Sequence, residues 1–223
     1  MRQLSFPVDV KYAKGVNENY QELRRLRISS ILVALLWVAG GVVAAVLGSG
    51  GWYILAVVLI AMGVGSIIMA FLLPRKVGSI KHQYEHSQLV GALLADKRRH
   101  GVTLLGLVNA SRTGDEDPVY ALVTRNATAV TGHPAVVGAK IPCVAVLQDR
   151  TRRRSGAAWE TASLMPLSWA TTDKSVIGQA QSMIEGYEWD LLQRSLGRTA
   201  EVDKQPNQMI LLSKRDLPEA LRG

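Results

Sequence analysis

Hydrophobic positions run almost without interruption through residues 28–74, where two apolar stretches, 28–47 and 52–73, flank Gly48-Ser49-Gly50-Gly51. No Asp, Glu, Lys, Arg or His occurs in the whole run. At the helical rise of about 1.5 Å per residue, each stretch is long enough to cross a hydrocarbon core of roughly 30 Å. The short connection makes the two helices antiparallel neighbours, so the pattern predicts a membrane hairpin. Small residues on both stretches, Gly40, Gly41, Ala44 and Ala45 on the first and Ala61, Gly63, Gly65 and Ser66 on the second, are expected to let the backbones approach.

Before the hairpin, Tyr12, Val16, Tyr20 and Leu23 recur at helical spacing, opposite Lys11, Lys14, Glu18, Glu22 and Arg25. Two readings stand: an interfacial helix leading into the first span, or a face packed on the protein's own soluble domain. After Pro74-Arg75-Lys76 the chain reads as a linker to about residue 88. The periodicity then shortens. Runs at 89–95, 102–109, 119–125, 141–148 and 160–169, separated by turn signals such as Arg112-Thr113-Gly114-Asp115, Gly132-His133-Pro134 and Ser155-Gly156, predict five short strands. Helical spacing returns at 174–184, with Asp173 as N-cap, and at 187–196; Met209-Ile210-Leu211-Leu212 offers one last strand.

The predicted fold is therefore a membrane α-hairpin of two transmembrane helices plus a soluble α+β domain. That domain is a small antiparallel, barrel-like sheet of five to six strands with two C-terminal helices. The expected boundaries are 1–27 for an N-terminal amphipathic segment, 28–74 for the hairpin, 75–88 for a linker, 89–213 for the soluble domain and 214–223 for a tail. Residues 87–213 are expected to fold without the hairpin, since their elements carry their own apolar faces.

Charge changes this picture in one respect. The net +8 divides into +3 over residues 1–27, +4 over 75–100 and only +1 over 101–223. The excess sits just outside the two ends of the hairpin, with none in its turn, which orients both termini toward the cytoplasm of a multi-pass plasma-membrane protein. Arg24, Arg25, Arg27, Arg75 and Lys76 are thus candidates for contact with anionic headgroups. Arg150, Arg152, Arg153 and Arg154 form a second basic run between two predicted strands. Such a loop can grip nucleic acid or acidic lipid, although a solvated strand connection reads the same way.

The search for chemistry turns up no phosphate loop, dinucleotide fingerprint, Cys-x-x-Cys, His-Glu-x-x-His or Gly-x-Ser-x-Gly. Cys143, the one cysteine, falls inside a predicted strand and reads as a buried hydrophobe. His82 and His86 are four apart but have no third ligand beside them, and Asp115-Glu116-Asp117 lacks the spacing of a calcium loop. No catalytic residue, metal site or cofactor is expected. The sequence points to a non-enzymatic membrane protein, an accessory or scaffold subunit of a larger respiratory or cell-envelope complex. Its expected partners are membrane lipids and other subunits or a second copy, not nucleic acid. The alternative is a membrane-anchored module that binds nucleic acid or anionic lipid through the arginine loop.

Phe6-Pro7-Val8-Asp9, the hairpin, the runs 104–109 and 132–146, and Met165-Pro166-Leu167-Ser168-Trp169 together resemble a family of uncharacterised membrane proteins from corynebacteria and related mycolate-bearing actinobacteria. The resemblance covers most of the chain and includes a C-terminal domain of unknown function. Its motifs are apolar and turn residues rather than catalytic ones, so it is silent about activity and carries over no site residue.

Overall fold

The computed structural model describes residues 2–48, 50–77, 79–113, 117–149 and 156–222, with backbone alone at 73–77. Contacts divide the chain into two units, residues 17–80 and residues 1–16 with 81–223.

The first unit is the hairpin. Helix α2 spans Glu18–Val46 and helix α3 spans Gly51–Val77. Asn17 caps α2 by accepting a hydrogen bond from the Tyr20 N–H at 3.4 Å. Both helices are long and apolar enough to cross a membrane, and only 17% of either apolar window is buried within the protein. A helix from a soluble core would be mostly covered, so the exposure of Leu36, Val46, Ile54 and Val57 favours lipid as the surrounding solvent.

The seam between these helices is made by small residues. A Cβ on Gly41 would lie 2.7 Å from Ile60 and 3.1 Å from the Ala56 carbonyl. One on Gly63 would lie 2.7 Å from Val38 and 3.1 Å from the Ala34 carbonyl. Ala34 and Gly41 therefore face Gly63 and Ala56, and buried Ala70 continues the row. Sevenfold spacing on both helices is the period of left-handed pairing. Ala61 and Gly65, expected in this seam, are exposed outside it.

The second unit is built on one sheet. Its strands are β1 (Gln88–Arg98), β2 (Gly101–Asn109), β3 (Tyr120–Ala127), β4 (Lys140–Gln148), β5 (Thr161–Pro166) and β6 (Met209–Leu211). Their order is β5-β4-β1-β2-β3-β6, and every pairing is antiparallel. The register of β1 against β2 slips between Leu94 and Asp96, a bulge that bends the strand. The sheet curls into a half-barrel: Arg125 of β3 reaches Ser163 of β5, with three strands between them in the order, at an Nη1–Oγ distance of 2.5 Å. Inside the curl, Leu164 fills the space above Gly106, where a Cβ would come within 2.7 Å of it. Val90, Ala92, Leu104, Val123, Ile141, Cys143 and Trp169 belong to the same core.

The convex face is covered by helices, so β1 and β2 are buried on both sides and read as continuous apolar runs. Helix α5 spans Lys174–Ser182, α6 Gly186–Ser195 and α7 Thr199–Asp203. Trp189 of α6 packs on Gly91, where a Cβ would be 3.1 Å from its ring. Asp173 caps α5 as expected, accepting from the Ser175 N–H at 2.8 Å and its hydroxyl at 2.7 Å.

Two stretches differ from the expectation. Helix α1 (Val10–Val16) ends before Asn17, so the face of Tyr12, Val16, Tyr20 and Leu23 is divided between the units. Leu4, Phe6 and Ala13 are buried in the sheet unit, Asp9 N–H donates to the Ala170 carbonyl at 3.0 Å, and Tyr12 donates to the Ser168 carbonyl at 3.2 Å. Of the two readings of this segment, packing on the protein's own domain holds through residue 16. The expected linker also contains a helix, α4 (Ile80–His86), whose Tyr84 is fully buried and donates to the Pro166 carbonyl at 3.0 Å. Phe6 meets the Tyr84 ring edge-on with centroids 6.1 Å apart.

Candidate functional site

Three groups of charged side chains merit comparison, beginning with the basic end of the hairpin. Arg24, Arg25 and Arg27 lie on the early turns of α2 and are exposed. A helix of 29 residues is about 44 Å long at 1.5 Å per residue, so its first turns extend beyond a hydrocarbon core of roughly 30 Å. Arg75 and Lys76 lie in the last turn of α3, and the antiparallel pairing brings that end beside the start of α2. Arg27 stacks its guanidinium over the Phe71 ring at 4.5 Å, linking the two helices at this end. The structure thus gathers all five sequence-derived candidates of the hairpin at one end of it.

The second group is the stem of the arginine loop. Arg150, Arg152, Arg153 and Arg154 lie outside the described residues. On their N-terminal side, Asp149 accepts two hydrogen bonds from Arg112, at 2.9 and 2.6 Å, and Arg112 lies over the Trp159 ring at 4.6 Å. On their C-terminal side, Arg112 N–H donates to the Ala157 carbonyl and Trp159 N–H to the Ala110 carbonyl. Donation to the Asp149 carboxylate holds the Arg112 guanidinium above its ordinary pKa. Both ends of the loop are therefore fastened to the end of β2. Sequence reading missed this clamp, because Arg112 and Asp149 are 37 positions apart and each looks like an ordinary turn residue.

The third group lines a cleft of about 230 Å³ beneath α6, with Arg2, Gln88, Asn109, Tyr120, Tyr187 and Glu188 on its walls. Arg2 donates to the Met183 carbonyl at 2.8 Å and forms a close ion pair with Glu188. Gln88 donates to the Asn109 carbonyl at 2.9 Å, and the Asn109 side chain accepts from the N–H groups of Ser111 and Val119. Burial pushes the Glu188 carboxyl above the usual range, more than the Arg2 contact pulls it down. Sequence reading missed Glu188 as well, since its partner Arg2 is 186 positions away.

The remaining candidates stay apart from these groups. Cys143 is buried and its thiol is held well above the ordinary pKa by desolvation, which makes it unreactive. His82 and His86 stack with centroids 4.0 Å apart on α4. Among the described residues no group of three or more His, Cys, Asp or Glu is arranged to hold a metal ion. Asp115 and Glu116 lie outside the described residues, and Asp117 is exposed.

Comparison with known proteins supplies the context. No curated protein matches the chain. A crystal structure from Corynebacterium diphtheriae, described as a putative membrane protein, is 34% identical with a TM-score of 0.53; the match covers 56% of this chain and 100% of that one. Residues 75–200, more than half of the chain, match the family described as protein of unknown function DUF3239. With its two candidate spans followed by the curled sheet, the chain belongs to the DUF3239 family.

Proposed function

We propose that the protein crosses the cytoplasmic membrane twice, keeps both termini in the cytoplasm and acts by binding, as an accessory or scaffold subunit of a larger membrane assembly. The observation that carries this reading is the charge distribution on the hairpin: Arg24, Arg25, Arg27, Arg75 and Lys76 at one end, and only Gly48-Ser49-Gly50-Gly51 at the other. A role in binding is supported by the use made of the charges in the sheet unit. Glu188 with Arg2, and Asp149 with Arg112, are engaged in fastening this chain's own segments.

Buried, unreactive Cys143 makes the natural chain a clean background for labelling. With single cysteines at Gly51→Cys and Asp117→Cys, a membrane-impermeant maleimide should modify the first in intact cells and the second only after permeabilisation. The reverse pattern overturns the topology. For the subunit role, a photoactivatable side chain at exposed Asp190 or Arg194 should give one discrete protein adduct in cells. Crosslinks to lipid alone would remove that role.

A second reading rests on the clamped stem of the arginine loop, which would present Arg150–Arg154 to nucleic acid or anionic lipid from a fixed base.

A further inference from the structure

The connection from β3 to β4, residues 128–139, has to pass the ends of β2 and β1, which lie between those strands. Its first part closes the curl. The Trp169 indole donates to the Ala129 carbonyl at 3.1 Å, and the Thr131 hydroxyl to the Ser168 carbonyl at 3.2 Å. Its last part is fastened to β1, where Gly138 N–H donates to the Leu94 carbonyl at 2.8 Å and Leu94 N–H to the Ala139 carbonyl at 3.0 Å. Between these anchors Pro134, Ala135, Val136 and Val137 are all exposed. Val136 at 63% and Val137 at 54% are the most exposed large hydrophobic side chains described in the sheet unit. Folding gains nothing from an apolar run held in water, so four such residues in a row, fixed by backbone bonds on both sides, mark a contact surface.

The register of β1 sorts the charges around this loop. Residues directly opposite in an antiparallel pair point to one side. Lys97 lies opposite Val102, which belongs to the core inside the curl, and Asp96 lies opposite Thr103. Asp96 therefore projects from the outer face, where Thr103 donates to Asn126, Asn126 to Asp203, and Asp203 pairs with Arg98. Asp190 and Arg194 of α6, packed on that outer face, offset each other. Lys97 on the inner side and Arg99 at the hairpin tip are exposed and make no ion pair among the described residues. Helix α1 adjoins the loop, with the Tyr12 and Thr131 hydroxyls 3.1 Å apart, and it exposes Lys11 and Lys14 against the single carboxylate of Asp9 at its start. Four residues after Tyr12 the sheet unit ends at Val16, and Asn17 begins the hairpin.

From this juxtaposition we infer that the β3–β4 loop is a second membrane contact: Val136 and Val137 enter the headgroup region of the anionic leaflet, with Lys97 and Arg99 at its phosphates. Covalent continuity favours lipid over another protein as the occupant. Two valines and a few cations hold a free domain on a membrane only weakly, whereas a tether of a few residues makes the contact intramolecular, at an effective concentration in the range of about 1 mM or more. The inference rests on the proposed crossing of the membrane by the hairpin.

The test places the full chain in vesicles of phosphatidylglycerol or of phosphatidylcholine, with the environment-sensitive fluorophore NBD on Val136→Cys; Cys143 is buried and stays unlabelled. In phosphatidylglycerol the emission should shift to the blue and be quenched by lipids brominated along the acyl chain. In phosphatidylcholine it should stay as in water. The same probe on Asp117→Cys, at the opposite, β2–β3 end of the sheet, should stay as in water in both. Lys97→Gln together with Arg99→Gln should lower the ratio of inserted to free loop about 25-fold, fivefold for each cation at an anionic surface. Emission as in water in phosphatidylglycerol, equal quenching in both lipids, or unchanged quenching in the double variant overturns the proposal. So does a blue shift without quenching by brominated lipid, which would give the valines to a protein surface, a second copy included. Retention of the chain in vesicles after alkaline extraction reports on the hairpin separately, so an idle loop is distinguishable from failure of the hairpin to insert.

Discussion

At Glu188 desolvation and charge pairing oppose each other, and desolvation prevails: the carboxyl sits in the cleft under α6 with its pKa above the ordinary 4.5 despite the Arg2 guanidinium beside it. A carboxyl whose folded pKa is raised contributes stability below its unfolded pKa and loses it as pH rises through the folded value. Glu188→Gln keeps an acceptor for Arg2 and removes the titration. Relative to that variant, the natural protein should therefore lose stability as pH rises above the ordinary carboxyl range, read from urea midpoints followed by tryptophan fluorescence. A gain over the same rise would mean that the attraction of Arg2 outweighs burial. Residues of this kind were the least legible. Asp173 declared itself by preceding an apolar helical run, and a cap needs only local sequence. The partner of Glu188 is 186 positions away, and no local pattern announces it.

The elements were read more fully, because strand and helix periods are local properties. Strands β1 to β5 fall on the predicted runs, and α5 and α6 lie within two residues of theirs. Failures came where a segment belongs to a different unit than its neighbours. Residues 2–16 and α4 flank the hairpin in sequence yet pack on the sheet, where Phe6 and Tyr84 meet. The seam of the hairpin was half legible. Its small residues were visible, but choosing Gly63 over Ala61 and Gly65 requires the phase of each helix against its partner. The packing changes what a stable fragment is. Residues 87–213 lack Leu4, Phe6 and Tyr84, and deleting one buried aromatic typically costs about 3–5 kcal/mol against a total of roughly 5–15. That fragment should unfold without a cooperative transition. Joining residues 1–16 to 81–222 through a flexible Gly/Ser linker should restore one, measured by circular dichroism in urea. Equal midpoints for the two fragments would show that the N-terminal strap and α4 add nothing.

Across the whole molecule, the excess charge flanks the hairpin in sequence: residues 1–27 carry +3, residues 75–100 carry +4 and residues 101–223 only +1. This bears on the two functional readings, because outside the loop residues 101–223 carry ten Lys/Arg against thirteen Asp/Glu and so add no net basic charge to the arginines. The loop nevertheless leaves a well-fastened stem, with Arg112 held by Asp149 and Trp159. Replacing Arg152, Arg153 and Arg154 together by Ser should leave that stem intact and change stability by no more than about 0.5 kcal/mol, as is usual for surface positions. Membrane insertion should be unaffected, since the two proposed spans carry no charge over residues 28–74. Binding of the joined fragment to anionic vesicles or oligonucleotides should be weak at low salt and gone at about 0.15 M, where the screening length is near 8 Å. Nucleic-acid binding through several phosphates would show a steep salt dependence from a much higher starting affinity. Tight binding that persists at about 0.15 M salt and vanishes in the triple variant would move the protein's function from the accessory role to the loop.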